Sequence, residues 1–420
     1  MRLGNCLYSL VWLTAAASAA STLETWKNTE DAAASASKVG HYRNAEALLL
    51  ENQKLTQSFP PKDARIPRTL LDLAHVYRAE GKYTEALAAY EHARQIYTDL
   101  YGGESVELAE TLDGEGELYK SLGDFVQAEP SLVKSLEIRQ KLPPDEAEMA
   151  QSKNDLGEVY TAIGQFDKAE PLLVEALNIR RNRNAESTEV GQSLLAMGML
   201  YEKTSRSKQA EDAYRQAASI LGKTLGGEHP DYANALEHLA LACQAKHDFA
   251  TAEPLLQRVL AIREAAFGPE HRDVAASLDN LAALKRAEND SPAAAVLWER
   301  SLALWEKLEG PNSPDLAPDL NNLGAIYVYK DEQRSESLFL RAIALDEKAL
   351  GSDSPDLATD LNNLGTLYLV AKRYQDAVNT LGRALAIRQK AFGDLDPSVK
   401  ESLGSYNVAL RALKATVRNQ

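Results

Sequence analysis

Sulfur chemistry is nearly missing from this chain. Its 420 residues include two cysteines, Cys6 and Cys243. If a leader carries Cys6 away, one thiol remains and no internal disulfide can form. Two cysteines so placed also make no CxxC-type zinc site. HExxH, GxSxG, the Walker loop and GxGxxG are all missing, which leaves no sequence basis for metallopeptidase, α/β-hydrolase, P-loop or dinucleotide chemistry. No basic block is present, and the formal charge is −15, so non-specific binding to nucleic acid or anionic lipid is disfavoured. Beyond the first twenty residues no uninterrupted apolar run is long enough for a membrane helix, which needs about 20 residues. What remains is 45% hydrophobic and 25% charged, the balance of a foldable chain rather than a disordered one.

The N-terminus differs from the rest. Arg2 is its only charge, Cys6–Ala17 is mostly apolar, and "AAASAAS" (15–21) follows. A charged start, a short apolar core and a small-residue cleavage region predict a secretory signal peptide over 1–20, with cleavage after Ala19 or one residue later. The chain is therefore expected to be exported, periplasmic or secreted. The alternative is an uncleaved anchor, for which the apolar run is short.

Two near-copies, "LNNLGAIY" (320–327) and "LNNLGTLY" (361–368), reveal a longer pattern. With the closing tyrosine as a ruler, equivalent positions are Tyr77, Tyr119, Tyr160, Tyr201, Cys243, Lys285, Tyr327 and Tyr368, at steps of 41 or 42. Three residues earlier every unit has Gly or Ala, from Ala74 to Gly365. Nine residues later stand Ala86, Ala128, Ala169, Ala210, Ala252, Ala294 and Ala377, while the 327 unit is one residue short and has Ser335 there. In 69–97, Leu70, Leu73, Ala74 and Tyr77 have the three-and-four spacing of a helix face. Tyr83, Ala86, Tyr90, Ala93 and Ile96 repeat it after Gly81. Small residues allow two antiparallel helices to approach closely, and the larger ones fill the space between hairpins. "NSPDLA" (312–317), "DSPDLA" (353–358) and "EHPDYA" (228–233) mark helix starts: Ser or His before Pro, with Ser able to cap, Pro in the first turn, and Asp at the positive end. Pro130, Pro171 and Pro254 fall inside the second helix, where proline should weaken it.

These motifs resemble the tetratricopeptide repeat, and the 41–42 residue period with "LNNLGxxY" and "AEPLL" resembles its kinesin light chain variety; the common unit is about 34 residues. The additional residues amount to roughly two helical turns, lengthening the helices and the links. The resemblance covers about residues 66–410. It implies an all-α fold, a right-handed α-α superhelix of antiparallel hairpins. The expected organisation is 1–20 signal peptide, 21–65 a degenerate first hairpin and linker, 66–395 eight regular units and 396–420 a capping helix.

Few residues invite a chemical role. His229 and His271 precede helix starts and read as capping or solvated side chains, not metal ligands. Asp113 and Glu117, spaced i, i+4, read as a solvated face rather than an acid/base pair. No cofactor, metal or enzymatic activity is expected. The resemblance implies that the first helix of each hairpin lines a concave groove and that residues six before the ruler face into it. The candidate partner-binding residues are Asp113, Asn154, Glu237, Asp279, Asn321 and Asn362. Asparagine can both donate to and accept from an extended backbone. The second amides, Asn280, Asn322 and Asn363, are expected to satisfy neighbouring helices instead. The function expected is a non-enzymatic scaffold binding a protein or peptide. The alternative is a structural component of an envelope assembly that associates through its outer helical faces.

Overall fold

A computed structural model describes residues 4–143 and 145–418, with side chains from Ser21 onward. The leader expected at 1–20 lies outside the described side chains. The chain divides into two compact units, residues 1–269 and 270–420, and every described element is helical.

In the first unit α1 (Gly4–Lys38) pairs with α2 (Tyr42–Thr56), α3 (Arg65–Ala79) with α4 (Tyr83–Tyr101), and α5 (Val106–Ser121) with α6 (Phe125–Lys141). Next come α7 (Glu146–Ala162) with α8 (Phe166–Arg183), α9 (Thr188–Lys203) with α10 (Ser207–Thr224), and α11 (Pro230–Ala245) with α12 (Phe249–Phe267). The second unit pairs α13 (Arg272–Ala287) with α14 (Ser291–Glu309), α15 (Ala317–Tyr327) with α16 (Glu332–Leu350), and α17 (Pro355–Val370) with α18 (Tyr374–Phe392). Then α19 (Pro397–Arg418) packs on α18 and α17. Odd-numbered helices also touch the next odd one: α5 meets α3 and α7, α7 meets α9, and α15 meets α17. They form the inner layer.

The small-residue columns sit where the two helices of a hairpin cross. A Cβ on Gly116 would lie 2.5 Å from Leu132 Cγ, and one on Gly365 2.5 Å from Leu381 Cγ. Only a missing side chain permits that approach. The facing residues, Leu132, Leu173, Tyr214, Leu256 and Leu381, are fully buried.

Turns and caps follow the sequence marks. Four residues after the ruler the backbone turns left-handed, at Gly81, Gly123 and Gly164 but also at Ser205, His247, Asn289 and Lys372, with φ between 61° and 77°. The one-residue deletion after Tyr327 removes that position; Lys330 N and Asp331 N both bond Tyr327 O instead. Ser354 Oγ accepts from Asp356 N, and Ser313 Oγ accepts from Asp315 N in a short 3₁₀ turn, Pro314–Leu316, that leads into α15. His229 and His271 cap as expected: each Nδ1 accepts the N–H two residues on, at 3.0 and 3.2 Å. The helices containing Pro130, Pro171 and Pro254 continue through them.

The first unit closes on itself. Tyr42 stacks on Phe267 with ring centroids 6.0 Å apart, and Arg43 Nη2 donates to Phe267 O at 2.7 Å. That guanidinium meets the negative end of α12. A Cβ on Gly40 would lie 2.7 Å from Pro230 Cδ. The hairpin α1–α2 thus meets α11–α12 after one turn of the solenoid.

Candidate functional site

The inner layer carries the predicted groove residues, and a second column on the even helices meets three of the six, Asp113, Glu237 and Asp279. Twenty residues after the ruler stand Tyr97, Arg139, Arg180, Leu221, Arg263, Trp305, Asp346 (one residue nearer, because of the deletion) and Arg388. Each lies in the last two turns of its even helix.

Asp113 is buried. Arg139 donates to its Oδ2 through Nη2 at 2.7 Å and through Nε at 3.2 Å, and Ser152 Oγ of the next hairpin donates at 3.1 Å. Burial pushes the carboxyl up to about 6 against those three donors. Asn154, 2% exposed, accepts from Ser193 Oγ at 2.9 Å and donates to Glu158 at 2.7 Å; Arg180 in turn donates to Ser193 Oγ at 2.7 Å. Glu237 receives both arms of Arg263, at 2.7 and 2.8 Å, a bidentate pair of the strong kind. Asp279 receives Trp305 Nε1 at 3.3 Å. Asn321 donates to Asp360 Oδ1 and accepts from Asn363 Nδ2 at 3.2 Å. Asn362 is half-buried, and its Oδ1 is enclosed with no donor among the described residues.

Five of the six candidates are therefore bonded to a neighbouring element in this structure. Asp279 and Asn321 line one cavity; the other four are not brought together with them. The second amides serve as expected in two cases, Asn363 on Asn321 and Asn322 accepting from Arg286 at 3.4 Å. The solvated face expected for Asp113 and Glu117 is corrected: Asp113 is enclosed, and Glu117 turns to Arg78 Nη2 at 2.5 Å. Arg139 of the same hairpin and Arg78 of the preceding one stand at the height of these acids, and pairing outweighs hydration there.

The charges of the first unit's inner face largely cancel. Arg68 reaches Glu110 at 3.1 Å, Arg78 reaches Glu117, and Lys120 bonds Glu158 and lies 3.7 Å from Asp155. Burial raises Asp155 to about 8 despite Lys120 and lowers His75, which shares a hydrogen bond of 3.0 Å with Tyr90 Oη, to about 4. Openings interrupt this lining. One of about 660 Å³ is bounded by Glu30, Lys38, Tyr42, Arg68, Asp72 and His75. One of about 170 Å³ lies among Glu117, Gln151, Asn154, Glu158, Gln192 and Asn234.

The second unit differs. Its cavity of about 600 Å³ is lined by six aspartates and by no Lys, Arg or His. Sequence reasoning found Asp279 and Asn321 but missed Asp319 and Asp360. Their signal is a third column, eight before the ruler: Thr69, Thr111, Ser152, Ser193, Ala235, Ser277, Asp319, Asp360. The arginine column was missed too, although "IR" recurs at 138–139, 179–180, 262–263 and 387–388. Among the described residues no three His, Cys, Asp or Glu side chains are arranged to hold a metal ion, and no helix is long and apolar enough to cross a membrane.

Comparison with known proteins places this architecture. The crystal structure of a Rap protein complexed with competence and sporulation factor is similar in fold, with a TM-score of 0.58 at 15% identity, covering 87% of this chain and 98% of that one. BtubC (BKLC) from P. vanneervenii is 24% identical over 55% of this chain and 92% of its own, with a TM-score of 0.43. A putative kinesin light chain repeat protein from Podosopora anserina is 25% identical over 48% of this chain and 95% of its own, also at 0.43. A search of curated proteins finds no significant match. The tetratricopeptide repeat profile matches residues 65–141, 148–223, 189–265, 231–297 and 328–390. With hairpins of that kind over more than half its length, the chain belongs to the tetratricopeptide repeat family.

Proposed function

We propose that the chain is a non-catalytic scaffold that holds an extended segment of a protein or peptide partner along its inner helices, and that it works outside the cytoplasm. The observation that carries the reading is the inner lining. Consecutive hairpins repeat one backbone geometry, while the side chains that face the openings change from unit to unit. A constant frame with variable polar contacts suits recognition of a segment. The Rap protein of similar fold is itself solved in a complex. The enclosed Oδ1 of Asn362 has no donor among the described residues, and a backbone N–H of a bound segment would supply one after a small side-chain rotation.

The export part rests on the sequence of residues 1–20. Sequencing the mature N-terminus tests it: a start at Ala20 or Ser21 supports it, and an intact Met1 counts against it. The binding part is tested by crosslinking and mass spectrometry in the native compartment. A partner whose crosslinks fall on the odd-numbered helices, and weaken in an Asn321→Ala/Asn362→Ala double variant, supports the groove. Crosslinks confined to the even helices, unchanged in that variant, move the interface to the outer faces.

A further inference from the structure

In four units an arginine from the even helix reaches the inner acids or hydroxyls: Arg139 to Asp113, Arg180 to Ser193, Arg263 to Glu237 and Arg388 to Ser402 at 2.8 Å. After Arg180 this arginine is exchanged three times, at Leu221, Trp305 and Asp346, and in two different ways. At Leu221 the following hairpin has Ala235 in the hydroxyl column, so an apolar residue is matched by an apolar residue. Replacing a buried charged contact by well-packed apolar groups in this way is close to neutral in stability.

At Trp305 and Asp346 the match is inverted. The cation is lost, yet the following hydroxyl position becomes a carboxylate, first Asp319 and then Asp360. Both side chains are 3% exposed. Asp319 Oδ2 and Asp360 Oδ2 have no hydrogen-bond partner among the described residues, and neither has Asp279 Oδ1. These side chains, with Asp346, line the 600 Å³ cavity, a volume within the roughly 300–1,000 Å³ usual for ligand pockets. Bases near its ends are already engaged: Arg388 bonds Ser402 and Thr359, and Arg272 lies over the Trp305 ring at 5.8 Å. Carboxyls packed together without a cation oppose folding: burial, and then Asp279 beside Asp319 and Asp346 beside Asp360, push Asp319 up to about 9 and Asp360 up to about 8, so that each pair holds a proton between its two carboxyls.

We propose that this cavity receives the guanidinium of an arginine from the partner segment, supplying in trans the cation that Arg139, Arg180, Arg263 and Arg388 supply within the chain. The inference rests on the segment-binding reading above and specifies its chemistry: a basic, arginine-bearing stretch seated on α13, α15 and α17. A guanidinium matches the carboxyls better than an ammonium because its planar fork can engage two oxygens at once. The indole of Trp305 forms part of the wall and offers a surface on which it can stack.

The test uses the full chain and a fluorescent nine-residue peptide of alternating glycine and alanine with one central arginine. Its twin carries citrulline, which has the same shape without the charge. The arginine peptide is expected to bind at least ten-fold tighter than the citrulline one. Asp346→Arg, which restores the column's arginine within the chain, is expected to remove that difference and to raise the thermal midpoint. Asp319→Asn/Asp360→Asn keeps the cavity's shape and is expected to remove the difference also, which covers the case in which Asp346→Arg does not fold. Glu401→Gln, on the exposed side of α19, should leave it intact. Equal binding of the two peptides overturns the arginine pocket while leaving the segment-binding reading standing. If neither peptide binds and Asp346→Arg lowers the thermal midpoint, the pocket is likewise overturned, and crosslinking alone then decides the wider reading.

Discussion

Replacing Arg139 by methionine isolates the physics of the inner ladder. The side chain is 6% exposed and holds Asp113 at 2.7 Å and Glu148 at 2.9 Å. Methionine keeps most of the apolar stem and removes the charge, so the change is electrostatic more than steric. Asp113 then keeps Ser152 as a donor and no cation. Removing one partner of a buried ion pair costs about 3–5 kcal/mol. Protonation limits that cost here, because the carboxyl is already raised to about 6 with Arg139 in place. Without the arginine its value rises further, so at low pH the variant carries a neutral acid bonded to Ser152. A loss of about 3 kcal/mol is therefore expected at pH 8, falling to about 1 kcal/mol at pH 5.5. Arg139→Met/Asp113→Asn should recover most of the loss at pH 8, since no uncompensated charge remains. Because repeat arrays unfold piecewise, the readout is hydrogen exchange of the α5, α6 and α7 amides alongside a urea transition. A pH-independent loss below about 0.5 kcal/mol, or a double variant no better than the single one, would refute the argument.

Three further outcomes follow from the same structure. The raised carboxyls of Asp319 and Asp360 bind protons in the folded state that the unfolded chain releases near pH 4, so the second unit should lose stability as pH rises from about 4 to 8–9 and level off above. Relaxation and water entry absorb most of such a shift, but a third of it is still worth about 2 kcal/mol. Asp319→Asn/Asp360→Asn should flatten the pH profile of the thermal midpoint and raise it at pH 8; an unchanged slope would sink the assignment. Gly365→Ala sets a Cβ against Leu381 Cγ at 2.5 Å; overpacking of about 1–3 kcal/mol outweighs a helix-propensity gain of up to about 1 kcal/mol, so the urea midpoint should fall. Lys372→Gly relieves a left-handed residue at φ 61° and should stabilise by about 0.5–1 kcal/mol, visible as a small rise in thermal midpoint.

Much of this molecule was legible in advance, for local reasons. The Gly/Ala column at 116, 157, 324 and 365 marks close helix crossings, because nothing larger fits against Leu132, Leu173, Phe339 and Leu381. His229 and His271 were readable as caps because capping depends on neighbours two residues away. The candidate residues lie on the odd-numbered helices, but nothing local in the sequence names their partners. Asp113 meets Arg139 across 26 residues and Ser152 across 39, and the face expected to be solvated at Asp113 and Glu117 is occupied by Arg139 of the same hairpin and Arg78 of the preceding one. Asp319 and Asp360 were not legible because each lies four residues after the acid of an S-P-D helix start, Asp315 or Asp356, where one more acid near a helix N-terminus explains itself.

The sequence by itself determined the unit: its period, its two helices, their punctuation and the apolar faces that force one hairpin to stack on the next. Those follow from contacts between residues near in the chain, which a repeated pattern writes out openly. Only the tertiary structure decided what the small rotation at each step adds up to. It brings Arg43 to the end of α12, 224 residues away. It sets Arg139 against Asp113 and Arg263 against Glu237, and it leaves the three buried aspartates of the second unit, Asp319, Asp346 and Asp360, without an arginine partner among the described residues. These are sums over many hairpins, and a slight change in rotation per repeat would redirect every long-range pair while leaving each local pattern as it is.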